Sequence, residues 1–516
     1  MNKARPVGRA PFSEAMRAWF AGDFEGCLAL CDRVRPNDID TVSQLALLRA
    51  RALLRTGRAD EAIAVVRGAF IAHGTLDASL TARMLLGTAF VRRGDHERGL
   101  DILDAAFRES ARAHPTIRSE IALNIGLAHY GLRDFASADR ALDLVSADAD
   151  IVHARSLEYR GWVAIARADY VAAAGHFAAA LRRLDRCRRY DRFLEAHAIQ
   201  ALAILSAERL DRTSWMVVEE RARRIEWAAP GLAPPWFGVA LSASMTEEVH
   251  GRIPDALRWA GEAEDVAANE PLRLLAACRH ASVLRSAGER YAHRDVVARI
   301  RRDAERLDAA QLDGDERQFV LALAIEVAAI GDVVGARTLL ARYDGLPQPS
   351  AMLSLTADPR ELGARRYAAA AIADAAADHA QAHRGYREAF QIFSRIGYER
   401  RALFAALRLG ELTGQTYLLE YVDRTLCKLS PRSPLRDRAT CRAAPAADPV
   451  VAGLSRAERS VFDLVCEGKT TAEIAEVRGR SKQTVRNTIS KILTTFGVAD
   501  RPALLRECVQ RGIIGR

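Results

Sequence analysis

Eleven short turn signals punctuate residues 11–429, and a chain cut in this way has few folds open to it. The signals are Gly22-Asp23-Phe24, Gly57-Arg58-Ala59, Gly94-Asp95-His96, Arg133-Asp134-Phe135, Ala168-Asp169-Tyr170, Leu210-Asp211, Gly251-Arg252, Gly288-Glu289, Gly331-Asp332-Val333, Ala377-Asp378-His379 and Gly414. They recur at roughly 35 to 47 residues, the scale of helical-hairpin arrays. Apolar–polar alternation of the kind a half-buried strand needs is scarce, whereas Ala-rich stretches of helical length flank the turns. The expected fold is all-α: a solenoid of helical hairpins, each hiding its apolar face against its neighbours, so that the array must stack to be stable.

Several segments after the turns read as second helices of such hairpins. Examples are Phe24-Glu25-Gly26-Cys27-Leu28-Ala29-Leu30, Asp60-Glu61-Ala62-Ile63-Ala64-Val65 and Phe135-Ala136-Ser137-Ala138-Asp139-Arg140-Ala141-Leu142. Tyr170-Val171-Ala172-Ala173-Ala174 and Ala389-Phe390-Gln391-Ile392-Phe393 follow the same pattern. Their small residues let paired helices approach closely. The region resembles the tetratricopeptide repeats, least regularly over 190–310. That resemblance implies a binding scaffold whose concave side takes a protein, a peptide or a small-molecule effector, or an array that serves dimerisation.

The last sixty-odd residues carry a different grammar. Ser455-Arg456-Ala457-Glu458 has the form of a capping box, in which the Ser oxygen and the Glu carboxylate satisfy each other's orphan N–H groups. Val461, Leu464 and Val465 then share one helical face, and Gly468 ends the helix. Thr470-Thr471-Ala472-Glu473 is a second capping box, opening a short helix around Ile474 and Ala475 that stops at Gly479. Ser481 caps a third helix, whose Val485, Ile489, Ile492 and Phe496 line one face. Asp500 caps a fourth, with Pro502 in its first turn.

The face of the third helix opposite its apolar stripe presents Lys482, Gln483, Arg486, Asn487, Ser490 and Lys491. An α-helix fills the major groove of duplex DNA, and long donors near its N-terminal half reach base edges and phosphates. Arg486 suits a guanine, and Asn487 or Gln483 an adenine. Lys482, Lys491 and the N–H groups behind Thr470 and Ser481 suit phosphates. Charge agrees: Leu454–Arg516 holds twelve Lys and Arg against seven Asp and Glu in a chain of net charge +9.

These residues resemble the LuxR-type helix-turn-helix family. The matching string is Leu454-Ser455, Glu458, Val461-Phe462, Leu464-Val465, Gly468, Thr470, Glu473-Ile474-Ala475, Ser481, Thr484-Val485-Arg486-Asn487, Ile489, Ile492, Gly497-Val498 and Arg501. The resemblance covers about 12% of the chain. It implies a bacterial transcription regulator, usually dimeric on DNA, with RNA polymerase as a partner. By analogy Arg486, Asn487 and Ser490 read bases, while Lys482 and Thr484 contact the backbone; Lys469, Thr470, Thr471, Gln483, Ser481, Lys491 and Arg501 complete the expected DNA-binding set. The chain departs from the family at Arg478 and Arg480, where apolar residues are usual, at Thr488, often His, and at Thr495-Phe496, where Lys-Leu is usual.

Between the two regions, 430–449 reads as a flexible Pro/Arg/Ala linker through Pro431, Pro434, Pro445 and Pro449. The expected domains are thus a repeat region at 11–429, this linker, and a DNA-binding unit at 450–516. Apolar content of 49% is enough for large cores. Met1 to Ala10 shows no apolar signal-peptide core, and no run of 18 or more uncharged apolar residues suggests a membrane span, so a cytoplasmic protein is expected. Eight scattered cysteines read as reduced thiols.

Catalytic chemistry finds no constellation. Gly468-Lys469-Thr470 mimics the end of a phosphate-binding loop, but the first glycine of such a loop falls on Asp463. His379 and His383, beside Asp374 and Asp378, have metal-ligand spacing without a third clear ligand, and Cys27 and Cys31 stand one turn apart with no second pair. No cofactor and no enzyme activity are expected. The rival to a DNA-reading regulator is an adaptor whose terminal helices dock on the transcription machinery. A helical-repeat RNA binder ranks lower, since no repeat shows a regular pair of base-reading positions.

Overall fold

The computed structural model describes residues 9–33, 39–70, 75–227, 229–307, 312, 317–346, 359–430, 433–441 and 449–510. Within them the chain is all-α, with 28 α-helices and two 3-10 turns. Eleven helical hairpins run from Arg9–Ala21 paired with Phe24–Arg33 to Glu399–Thr413 paired with Thr416–Leu429. No helix among the described residues is long and apolar enough to cross a membrane.

Each of the eleven turn signals carries a residue in the left-handed region. Gly22, Gly57, Gly94, Gly251, Gly288, Gly331 and Gly414 have φ between 69° and 92°, and Arg133, Ala168, Leu210 and Ala377 have φ between 55° and 60°. A left-handed residue reverses the chain in few steps, and where its successor is Asp134, Asp169, Asp211, Asp332 or Asp378 that side chain caps the second helix. The repeat punctuation is therefore a backbone requirement, met by glycine where the sequence supplies one.

The hairpins stack side by side and wind into a superhelix whose successive turns touch. The first hairpin reaches Arg192–Arg209, where the Phe24 and Phe193 rings pack edge to face with centroids 4.9 Å apart. Arg192–Arg209 in turn packs on Glu399–Thr413, where buried Glu208 receives Arg400 Nη2 at 2.9 Å and Arg401 Nε at 2.8 Å. This closure explains why the start of 190–310, the Arg192–Arg209 helix, looks least repeat-like. Arg192–Arg209 has neighbours on several sides, so Leu194, Ala198, Ile199, Leu202, Ala203 and Leu205 are all buried and only the narrow row Phe193, His197, Gln200 and Ile204 stays partly open.

The expected flexible linker needs correction. Pro434–Cys441 is a helix, and Leu435 and Ala439 are buried against the core that holds Val422 and Leu426. Arg436 pairs with Asp423 at 2.7 Å and Arg438 with Glu411 at 2.9 Å. Pro434 stands at the first helical position, where no N–H is needed, so it starts this helix rather than breaking one. Pro431 and Pro445 lie outside the described residues.

Candidate nucleic-acid interface

The C-terminal unit is built on its caps. Both capping boxes form: Ser455 Oγ accepts from Glu458 N while Ser455 N donates to Glu458 Oε2, and Thr470 and Glu473 repeat the exchange. Gly468 and Gly479 end the first two helices at φ 77° and 58°. Ser481 Oγ accepts from Thr484 N at 3.1 Å and opens Lys482–Phe496; Asp500 Oδ1 accepts from Ala503 N at 2.8 Å and opens Arg501–Gln510. Each cap satisfies an orphan donor, worth about 1 kcal/mol. Together they fix where four short helices start.

Apolar burial then fixes how they pack. Val485, Ile489, Ile492 and Phe496 are buried against Val461, Phe462, Leu464, Val465 and Ile474. Phe496 stacks on Phe462 with centroids 5.1 Å apart. The third helix is thereby held by one face, and rotation is set by four anchored side chains. Its opposite face points outward, with Lys482, Gln483, Thr484, Arg486, Asn487, Ser490 and Lys491 all exposed.

The expected DNA-binding residues fall into three groups. Lys482, Gln483, Arg486, Asn487 and Ser490 form one open row. Among the described residues no hydrogen bond or ion pair engages the side chains of Lys482 or Arg486. Gln483 Nε2 donates to Asn487 Oδ1 at 3.1 Å, so the two amides face outward as a linked pair. Ser481, Thr484, Thr470 and Thr471 sit at helix starts, and their hydroxyls are partly spent: Ser481 and Thr484 bond each other at 2.8 Å, and Thr470 bonds Glu473.

Lys491 and Arg501 make contacts within the unit. Lys491 Nζ lies 2.6 Å from Glu458 Oε1, joining the third helix to the first. That lysine, with the Ser455 cap, holds the Glu458 carboxyl down at about 2. The Lys491 side chain remains 74% exposed, so the pair is a surface pair worth at most about 1 kcal/mol. Arg501 is half-buried, and its Nη1 donates to Lys469 O at 3.0 Å. It braces the loop that carries Lys469 and stands apart from the open row.

Residues outside the expected set join this unit to the repeats. Asp463 accepts from Thr416 N at 3.2 Å and from the Thr416 hydroxyl, Glu467 accepts from Tyr417 Oη at 2.5 Å, and Arg478 lies 3.4 Å from Glu420. Burial raises the carboxyl pKa of both Asp463 and Glu467. One sign of this contact stands in the sequence: Arg478 replaces an apolar residue usual at its position, and its guanidinium reaches Glu420. The other partners, being side chains on a neighbouring domain, leave no local signature.

Comparison with known proteins agrees with this geometry. The family model for bacterial regulatory proteins of the luxR family, GerE, matches residues 452–508. Over 59 residues the chain is 41% identical to the spore germination protein GerE of Bacillus subtilis (strain 168), spanning 11% of this chain and 80% of that protein. Among solved structures, the Rap protein complexed with competence and sporulation factor is similar at 12% identity and a TM-score of 0.41, covering 75% of this chain and 99% of that one. The APC/C hetero-tetramer Cut9-Hcn1 is similar at 11% identity and a TM-score of 0.33, covering 94% and 96%.

Proposed function

Because the chain belongs to the luxR family of bacterial regulatory proteins, we propose that it regulates transcription by reading specific duplex sequences with the Lys482–Phe496 helix. The observation that carries the reading is the open row Lys482, Gln483, Arg486, Asn487 and Ser490 on a helix whose other face is buried. Arg486, Asn487 and Ser490 read base edges in the major groove, and the linked Gln483–Asn487 amides match the donor and acceptor pattern of an adenine. Lys482, Thr484, Ser481, Thr470, Thr471 and Lys469 hold phosphates and set register. Lys491 joins them by exchanging Glu458 for a phosphate.

In this reading the protein is not an enzyme, acts in the cytoplasm and binds DNA as a homodimer, with two reading helices one duplex turn apart. RNA polymerase is its partner at the promoter, and the repeat region takes a protein, peptide or small-molecule effector. Selection of sites from fragmented genomic duplex DNA by the full chain tests it, and one enriched motif is expected. On that motif Arg486→Ala should cost about 1–3 kcal/mol, with a smaller loss on random DNA. Lys482→Ala should weaken both alike and reduce the salt slope by about one. Equal losses from Arg486→Ala on both DNAs would remove its base-reading role. Absence of salt-dependent duplex binding would leave the adaptor reading in its place.

A further inference from the structure

The first turn of the superhelix surrounds a cavity of about 1040 Å³, lined by residues of the first seven hairpins. Its volume is at the upper end of the range for small-ligand sites. Arg55 and Arg92 both line it, and among the described residues neither guanidinium has a hydrogen bond or an ion pair. Their neighbours are different: Arg51 is paired with Glu120 and Arg155 with Asp191, each at 2.6 Å.

Arg55 is held by its faces. Its guanidinium carbon lies 4.7 Å from the Phe193 ring centroid and 5.9 Å from that of Trp19. Aromatic packing of this kind stabilises the cation and leaves its N–H edges for an anion. Burial, with Arg55 and Arg92 nearby, lowers the His197 pKa to about 4, so this imidazole is neutral at pH 7. The cavity also holds the opposite defect. Glu158 is buried, accepts only the Trp162 indole N–H at 3.4 Å, and has no cation within pairing distance among the described residues. Burial raises its carboxyl to about 7.

Arg55 favours the charged form of Glu158 from beyond pairing distance, so the burial of the two groups is only partly offset and each keeps polar atoms that the chain does not engage. One ligand that carries both opposite charges repays both. We propose that this cavity binds a zwitterion with a free amino group and a free carboxylate, an amino acid or a short peptide. Its carboxylate meets Arg55 and Arg92, its ammonium meets Glu158, and its side chains lie against Phe193 and Trp162. The proposal rests on the reading that the repeat region takes an effector, and it names that effector's chemistry.

The test is a thermal-shift and calorimetric screen of the full chain against the twenty L-amino acids and a set of Phe-X-Phe tripeptides. The two arms distinguish a free amino acid from a peptide. The tightest binder is then compared with its N-acetylated and C-amidated forms. Each cap should weaken binding at least tenfold. Glu158→Gln should abolish the penalty of acetylation alone, and Arg55→Gln or the exposed Arg92→Gln should abolish that of amidation alone. No binder in either arm, or capping penalties unchanged in these variants, overturns the proposal. Binding of the selected DNA motif, measured on the same preparations, reports separately on the regulator reading.

Discussion

Arg133, Ala168, Leu210 and Ala377 hold φ of 60°, 60°, 55° and 58°, where a Cβ crowds the following carbonyl at about 1–2 kcal/mol per residue. The residue after each one offsets this. Asp134, Asp169 and Asp378 accept from the N–H of Ser137, Ala172 and Gln381 at 3.0 Å, and Asp211 accepts from Thr213 and Ser214. Such a cap is worth about 1 kcal/mol and fixes the start of the second helix. Two single changes separate the strain from its compensation. Ala377→Gly should stabilise the repeat region by about 0.5 kcal/mol, since relief of the left-handed strain slightly exceeds the added chain entropy of glycine. Asp378→Ala should cost about 1 kcal/mol. Urea unfolding of the full chain checks both, and a loss on Ala377→Gly would show that the turn carries no strain.

At the scale of the element, Arg192–Arg209 joins the turns of the superhelix, and Glu208 is its most exacting residue. Burial opposes its charged form, but Arg400 and Arg401 outweigh that cost and hold its pKa at about 2, below the ordinary 4.5. A depressed folded pKa means stabilisation that is present above about 4.5 and lost as pH falls through about 2. Glu208→Gln leaves two arginines facing a neutral amide and should cost about 3–5 kcal/mol at pH 7. The urea midpoint of the parent should fall between pH 5 and pH 3 more than that of the variant. Equal acid sensitivity would show that the ion pair does not form. The same helix marks the boundary of what could be read from sequence. Turns, caps and the apolar face of the third C-terminal helix are local, within four residues of their cause, and all eleven turns and both capping boxes were legible. Contacts between turns of a superhelix join Glu208 to Arg400 across 192 residues. They erase the amphipathic stripe that would have announced the helix. The Pro434–Cys441 helix escaped for another reason, because a proline at a helix start and one in a linker look alike in sequence. At the reading surface the open row was legible, but the pairing of Lys491 with Glu458 and the inward turn of Arg501 depend on side chains across the fold.

For the whole molecule, the contact between Thr416–Leu429 and the C-terminal unit decides what the repeats can impose on DNA binding. The contact uses Asp463, Glu467 and Arg478, on the first two helices of the unit and at their junction. The reading row stands on the third helix and stays exposed. Docking therefore does not cover the reading row; it fixes the direction in which that row points. In a dimer this matters for spacing rather than for affinity. Two reading helices held rigidly on two solenoids accept one separation of half-sites, whereas helices on loosened units accept several. Tyr417→Phe with Glu420→Gln removes the hydroxyl donor to Glu467 and the charge opposite Arg478 without touching the row. This variant should bind a single half-site within about threefold of the parent, because none of the residues proposed to meet DNA is changed. On paired half-sites whose separation is varied base pair by base pair, the parent should show one sharp optimum and the variant a broader one. A large gain in single-site affinity would mean that the docked repeats hinder the reading helix. An unchanged optimum would place the control of spacing elsewhere, in contacts between the two chains.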